Sequence, residues 1–224
     1  MKASNFAAAL TTIALWSATA SAQQTSEAFL ANDVDANALR LTVGLDPAMA
    51  FGLGYLRVVD LGARRLGVHV DTTAIMGFSS WDITAGVSVR ALQQSGFDVL
   101  CTLDLRLDVA QNDVHTAVVY GYGASVRPGW FGATWFIALD LAARGAFATT
   151  LTHRAAYRAM FPEVVDGTYT SDHLNLFAGA VLGFEVGRVA DIGARFAWRM
   201  PRTFESYAPY FMPYTFNLDV GLRF

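Results

Sequence analysis

The chain has 224 residues, of which 54% are apolar, 16% charged and 13% aromatic, with a mean hydropathy of +0.33 and a formal net charge of −3. Such a composition excludes disorder, which needs high polarity and few aromatics, and no run of 18 apolar residues follows the N-terminal region, which excludes helical membrane spans. A mildly acidic chain without a basic run also makes a poor partner for nucleic acid, whose phosphates call for clustered positive charge.

At the N-terminus, Lys2 supplies a positive start, Phe6 to Trp16 an apolar stretch, and Ala20-Ser21-Ala22 a small-residue cleavage site. These features predict a signal peptide over 1–22 that is removed on export; an uncleaved anchor helix is the alternative. Removal would take away Lys2, the only lysine, so that every remaining cation is an arginine. Residues 23–37 carry acids and no cation, and are expected to form a flexible periplasmic segment ahead of a single domain over 38–224. Cys101 is the sole cysteine, so an intramolecular disulfide and a cysteine zinc site are excluded.

From residue 38 onward the apolar residues recur at every second position in short pieces. Strands are predicted over 38–45, 50–59, 65–76, 82–91, 96–109, 116–127, 131–145, 173–187, 191–200 and 214–224. In 96–109, Phe97, Val99, Cys101, Leu103, Leu105, Leu107 and Val109 share one face, and Asp98, Thr102, Asp104, Arg106 and Asp108 the other. In 82–91, Ile83, Ala85, Val87 and Val89 oppose Asp82, Thr84, Ser88 and Arg90. A period of two means a strand with one apolar and one polar face. Segment 50–59 is the weakest, because Arg57 breaks its phase. Demoting 38–59 would leave eight strands instead of ten.

With the N-terminus placed on the periplasmic side, the connections at 60–64, 92–95, 128–130 and 188–190 are short, while 146–172 and 201–213 on the opposite side are the longest. Short turns at one end, longer loops at the other and an even strand count fit a membrane barrel better than a soluble sandwich. Trp81, Trp130, Phe131, Trp198, Tyr210, Phe211 and Tyr214 fall near strand ends, where an interfacial girdle would stand.

The last strand is the most regular: Tyr214, Phe216, Leu218, Val220, Leu222 and Phe224 alternate with polar or small residues up to a terminal Phe. This ending resembles the C-terminal assembly signal of bacterial outer-membrane β-barrel proteins, in small single-chain form. The resemblance implies a transmembrane antiparallel up-and-down barrel in the outer membrane, whose final strand is read by the barrel-assembly machinery. It names no subfamily.

Lipid cannot satisfy polar groups, so the apolar faces must point outward and the polar faces inward. The inward acids are then Asp71, Asp82, Asp98, Asp104, Asp108, Asp140, Glu185 and Asp219. The inward arginines are Arg40, Arg65, Arg90, Arg106, Arg144, Arg195, Arg199 and Arg223, with Arg127 assigned to a turn. An equal number of each sign predicts a self-neutralising network, arginine being suited to bidentate pairing with carboxylates. The glycines Gly121 and Gly123 are expected to face inward and make room for lumen side chains.

The functional expectation is a structural or surface-interaction barrel with a largely filled, charge-balanced lumen. A narrow channel for small polar solutes is the alternative, and an outer-membrane lipid- or peptide-hydrolysing enzyme the third reading. Arg154, Arg158 and Arg202 on the outer loops could hold the phosphates of lipopolysaccharide. Ser171, Asp172, His153 and His173 are the residue types of a hydrolytic triad, yet no G-x-S-x-G, H-E-x-x-H or P-loop motif accompanies them. His69, His115, His153 and His173 lack metal-ligand spacing; no metal and no cofactor are expected. The oligomeric state is left open.

Overall fold

Alternation gives each segment two unlike faces, and the chain resolves the conflict by closing its strands into a ring. The structure, a computed structural model, describes residues 37–45, 49–62, 65–75, 79–170, 174–187, 189–201 and 214–224. The predicted signal peptide, residues 23–36, Ser171, Asp172, His173, Arg202, Tyr210 and Phe211 lie outside the described residues.

The strands are β1 (Asn37–Leu45), β2 (Met49–Asp60), β3 (Arg65–Ile75), β4 (Ser79–Gln94), β5 (Phe97–Gln111), β6 (His115–Phe131), β7 (Trp135–His153), β8 (Gly167–Thr170), β9 (Leu174–Val186), β10 (Ala190–Pro201) and β11 (Tyr214–Arg223). A short helix, α1 (Ala155–Met160), lies between β7 and β8. Consecutive strands pair antiparallel from β1 to β8 and from β9 to β11, β9 pairs with β7, and β1 pairs with β11, with Leu41 opposite Val220, to close the ring. β8 and β9 lie end to end along β7: Trp135–Gly145 faces β9, and Ala148–Leu151 faces β8. The wall therefore has ten positions around the barrel.

The eight-strand alternative fails because β1 is bonded on both sides along its whole length, with Leu41 opposite Leu53 of β2. Arg57 is no break in phase either; it points outward, while Leu56 and Val58 on either side of it are buried.

The outside is apolar and the inside polar. Leu39, Leu41, Leu53, Val70, Ile83, Leu103, Leu105, Leu139, Phe184 and Leu218 are exposed, whereas Arg40, Asp71, Asp82, Asp104, Arg127, Asp140, Arg195 and Asp219 are buried. Aromatics stand in two bands on the outer surface. Tyr120, stacked on Phe147, and Trp81, Trp198 and Tyr214 lie toward the loop end; Trp130, edge-on to Phe97, and Trp135 lie toward the turn end. On β6 the two bands are separated by the span from Tyr120 to Trp130, about 33 Å of strand. At a tilt of about 40° that becomes roughly 25 Å, the height of the apolar band of an outer-membrane barrel.

Several boundaries differ from the sequence expectation. The short turn after β6 falls at 132–134 and not 128–130, so Phe131 points inward against Phe136 and is not part of a girdle. Residues 146–153 continue β7, and 167–170 form β8, so much of the predicted outer loop is sheet. A two-residue turn, Ser95-Gly96, joins β4 to β5 with both residues at positive φ (49° and 85°), the backbone that matches the twist of a tight hairpin.

Candidate functional site

From the turn end outward the interior has three zones. The first is apolar: Ala38, Leu56, Val58, Leu100, Phe131, Phe136, Ala138 and Val181 form one buried cluster between the first or last few residues of their strands. The Phe131 and Phe136 rings stack at 5.9 Å.

The second zone holds the charges, and alternation from facing strands brings opposite signs together. Arg127 from β6 and Arg195 from β10 both bond Asp140 of β7, all three fully buried. Arg40 bonds Asp71, and His69 Nε2 lies 3.0 Å from Asp104 and 4.0 Å from Asp71. Arg106 meets Asp108 at 3.1 Å and Arg90 meets Asp98 at 3.1 Å. Toward the turn end Arg223 reaches Glu185 at 3.4 Å. Thr42 donates to Asp219 at 2.5 Å. Arg144 and Arg199 lie over the Phe177 ring at 5.0 and 5.5 Å, where a cation gains from the ring quadrupole. Arg65 ends the row, half-buried at the start of β3. Gly123 faces inward as expected: a Cβ there would stand 2.8 Å from Asp104 Oδ2.

Two inward charges escaped the sequence reading. Arg127, expected on a turn, lies within β6, where the odd-numbered inward series Gly121, Gly123, Ser125 runs straight to it. Pro128 is tolerated because the ladder toward β7 lapses between Val126 and Gly129, and a proline cannot donate there. Asp191, at the edge of a predicted turn, is fully buried opposite Glu185. Among the described residues, neither oxygen of Asp82 or of Asp191 has a hydrogen-bond partner.

The third zone lies at the loop end, beyond the Tyr120–Phe147 band. His153 donates its backbone N–H to Asp166 Oδ1 at 2.8 Å, and its Nδ1 lies 2.8 Å from the same oxygen. Arg158 of α1 donates to Asp166 Oδ2 at 3.2 Å. The Tyr157 ring stacks on His153 at 5.7 Å. The hydrogen bonds from His153, backbone first, hold the Asp166 carboxyl below its usual range. Of the arginines predicted to contact lipopolysaccharide, Arg154 and Arg158 are exposed. Of the triad residue types, His153 alone is described, and its partner is Asp166.

Asp166 therefore ties α1 to β7. Its depressed pKa makes the tie complete above the ordinary carboxylate value of about 3.9 and lost as pH falls through the lower, folded value. Asp166→Asn is expected to speed tryptic cleavage after Arg158 several-fold at neutral pH, as read by mass spectrometry of the folded protein. An unchanged cleavage rate would show that the carboxylate does not hold the helix.

An apolar exterior over charged, mutually neutralising interior residues, on a closed ring of ten antiparallel strands, defines a transmembrane up-and-down β-barrel, the architecture of bacterial outer-membrane proteins. No protein-family model matches the chain, and no curated protein matches it at a significant level. Among solved structures it is similar to Ail, the attachment invasion locus protein of Yersinia pestis, in complex with the heparin analogue sucrose octasulfate. Identity is 9% over 85% of this chain and 100% of Ail, at a TM-score of 0.38. It is also similar to a deltaS2 mutant of the TodX monoaromatic hydrocarbon channel, with 9% identity over 88% of this chain and 92% of TodX, at a TM-score of 0.43. Both overlaps are loose, and the closed pairing of the strands stands without them.

Proposed function

We propose that the protein is an exported outer-membrane barrel over 38–224 whose lumen is closed by side chains and whose role is structural or surface-interacting. The observation that carries this reading is the succession of two buried side-chain layers along the lumen. The apolar cluster around Phe131 and Phe136 occupies the turn end, and the buried Arg127–Asp140–Arg195 group lies above it. A buried carboxylate shared by two guanidiniums is costly to pull apart, so the charged layer does not open by thermal fluctuation of a single side chain. The terminal strand supports export and assembly, since the Phe216–Phe224 segment closes the ring against β1. Residues 1–22 are then the removed signal, and the stretch from 23 to the start of β1 at Asn37 is the periplasmic lead-in. Exposed Arg154 and Arg158 give the outer surface cations for lipid phosphate.

A narrow channel for small polar solutes is the second reading, favoured by the unpartnered carboxylates of Asp82 and Asp191, which would suit a water-lined path. Planar-bilayer recording separates the two. The purified, folded protein is expected to give no unitary conductance steps; reproducible steps that depend on Asp82 would establish the channel.

A further inference from the structure

Two histidines that the sequence leaves 38 positions apart stand directly opposite each other in the β6–β7 ladder, His115 against His153. Their pair is of the non-hydrogen-bonded kind. The His153 N–H donates to Asp166 and the His115 carbonyl accepts from Asn112, while the next pair outward is bonded through Arg154 N–H to the Val114 carbonyl. In such a pair the side chains stand closer than at any other cross-strand position. Both rings face inward and are buried, His115 at 1% exposure and His153 at 5%.

We propose that His115 and His153 form a two-point chelate for a divalent transition metal of the zinc or copper class at the loop end of the barrel. The ring spacing fits a shared ion. With metal–nitrogen bonds of about 2.0–2.1 Å and each centroid roughly 1.2 Å behind its nitrogen, the centroids would stand about 5.3 Å apart at a tetrahedral angle and at most about 6.5 Å. They stand 6.1 Å apart, so a shared ion needs the rings to close by less than about 1 Å.

The donor chemistry fits as well. Neither ring nitrogen of His115 has a hydrogen-bond partner among the described residues, a costly state for a buried imidazole that a metal bond would relieve. His153 bonds Asp166 through Nδ1, which places the proton on Nδ1 and the lone pair on Nε2. A carboxylate behind the imidazole is the arrangement that fixes the tautomer of a metal-binding histidine and raises its basicity. Tyr157, stacked on His153, and Arg158, bonded to Asp166, hold that orientation.

Imidazole donors select zinc, copper or nickel over calcium and magnesium, which prefer oxygen. Among the described residues no third His, Cys, Asp or Glu converges on the pair. The remaining coordination positions therefore fall to water or to an outside ligand, and binding is reversible. The site lies beyond the aromatic band and does not depend on whether the lumen conducts.

The test is titration of the full-length protein, folded in detergent, with Cu²⁺ alone, read by electron paramagnetic resonance, and with Zn²⁺ alone, read by calorimetry. One equivalent of Cu²⁺ carrying two nitrogen donors is expected, with Zn²⁺ competing for the same site. His115→Ala and His153→Ala should each weaken binding by about tenfold or more, and loss of the supporting carboxylate in Asp166→Asn by about tenfold. The gel shift on heating reports whether each variant is folded. A folded His115→Ala variant that binds as tightly as the parent overturns the site. Where a histidine variant does not fold, the parent protein decides: a copper spectrum with fewer than two nitrogen donors, or no binding, overturns it.

Discussion

Asp140→Ala is expected to unfold a large fraction of the barrel. The substitution leaves Arg127 and Arg195 fully buried with their shared carboxylate gone. Removing one partner of a buried ion pair costs about 3–5 kcal/mol, chiefly through the charge left behind, and here two charges are left. The measurement is the urea midpoint of the folded protein in detergent or lipid, with the heat-dependent gel shift as the reporter of folding. Replacing the whole group by apolar residues of similar size, Arg127→Met with Asp140→Leu and Arg195→Met, should recover most of the loss, because the desolvation of three charges is then avoided. If Asp140→Ala unfolds at the parental urea concentration, the group is hydrated and the lumen is wetter than the two-layer reading requires.

Leu105→Arg addresses the outer face instead. Leu105 lies midway along β5 and is 67% exposed, a position where an arginine in a water-soluble protein would shift stability by no more than about 0.5 kcal/mol. In a barrel wall near the bilayer midplane the same change costs about 2–4 kcal/mol. Leu61, in the short turn after β2 and 63% exposed, gives the contrast: Leu61→Arg should be neutral. Folding yields into lipid vesicles measure both. Equal yields for the two variants would mean that β5 does not face hydrocarbon.

The sequence makes the ten strands legible because lipid enforces alternation on every one of them, and a one-residue slip would turn each apolar face inward. Even β2, where Arg57 disturbs the pattern, keeps its register through Gly54, Leu56 and Val58. Alternation also marks which charges face inward, but it cannot say which carboxylate each arginine meets. That depends on the stagger between neighbouring strands, which puts Asp140 between arginines 13 residues before it and 55 after it. Arg127 and Asp191 stand beside the expected turns 128–130 and 188–190, where alternation has too few residues on one side to fix which way a side chain points. The His115–His153 pair was hidden for a different reason: 146–153 reads as loop once Phe147 and Ala148 both point outward. The structure places a register shift at that point, between Tyr120 and Gly121 of the facing strand.

That bulge has a thermodynamic consequence. About ten tilted residues suffice to cross hydrocarbon, and β7 supplies them between Trp135 and Gly145, against β9. The eight residues from Ala146 to His153 add about 26 Å of strand beyond them. They are bonded to β6 and, in part, to β8, and the bulge loosens their connection to the wall below. This upper sheet is expected to open and close as its own cooperative unit, with its amides exchanging at a lower free energy than those of the ring below. Its fraying would leave the hydrogen-bonded ring below intact. The loop-end surface would then change shape at a cost the membrane-spanning wall does not share.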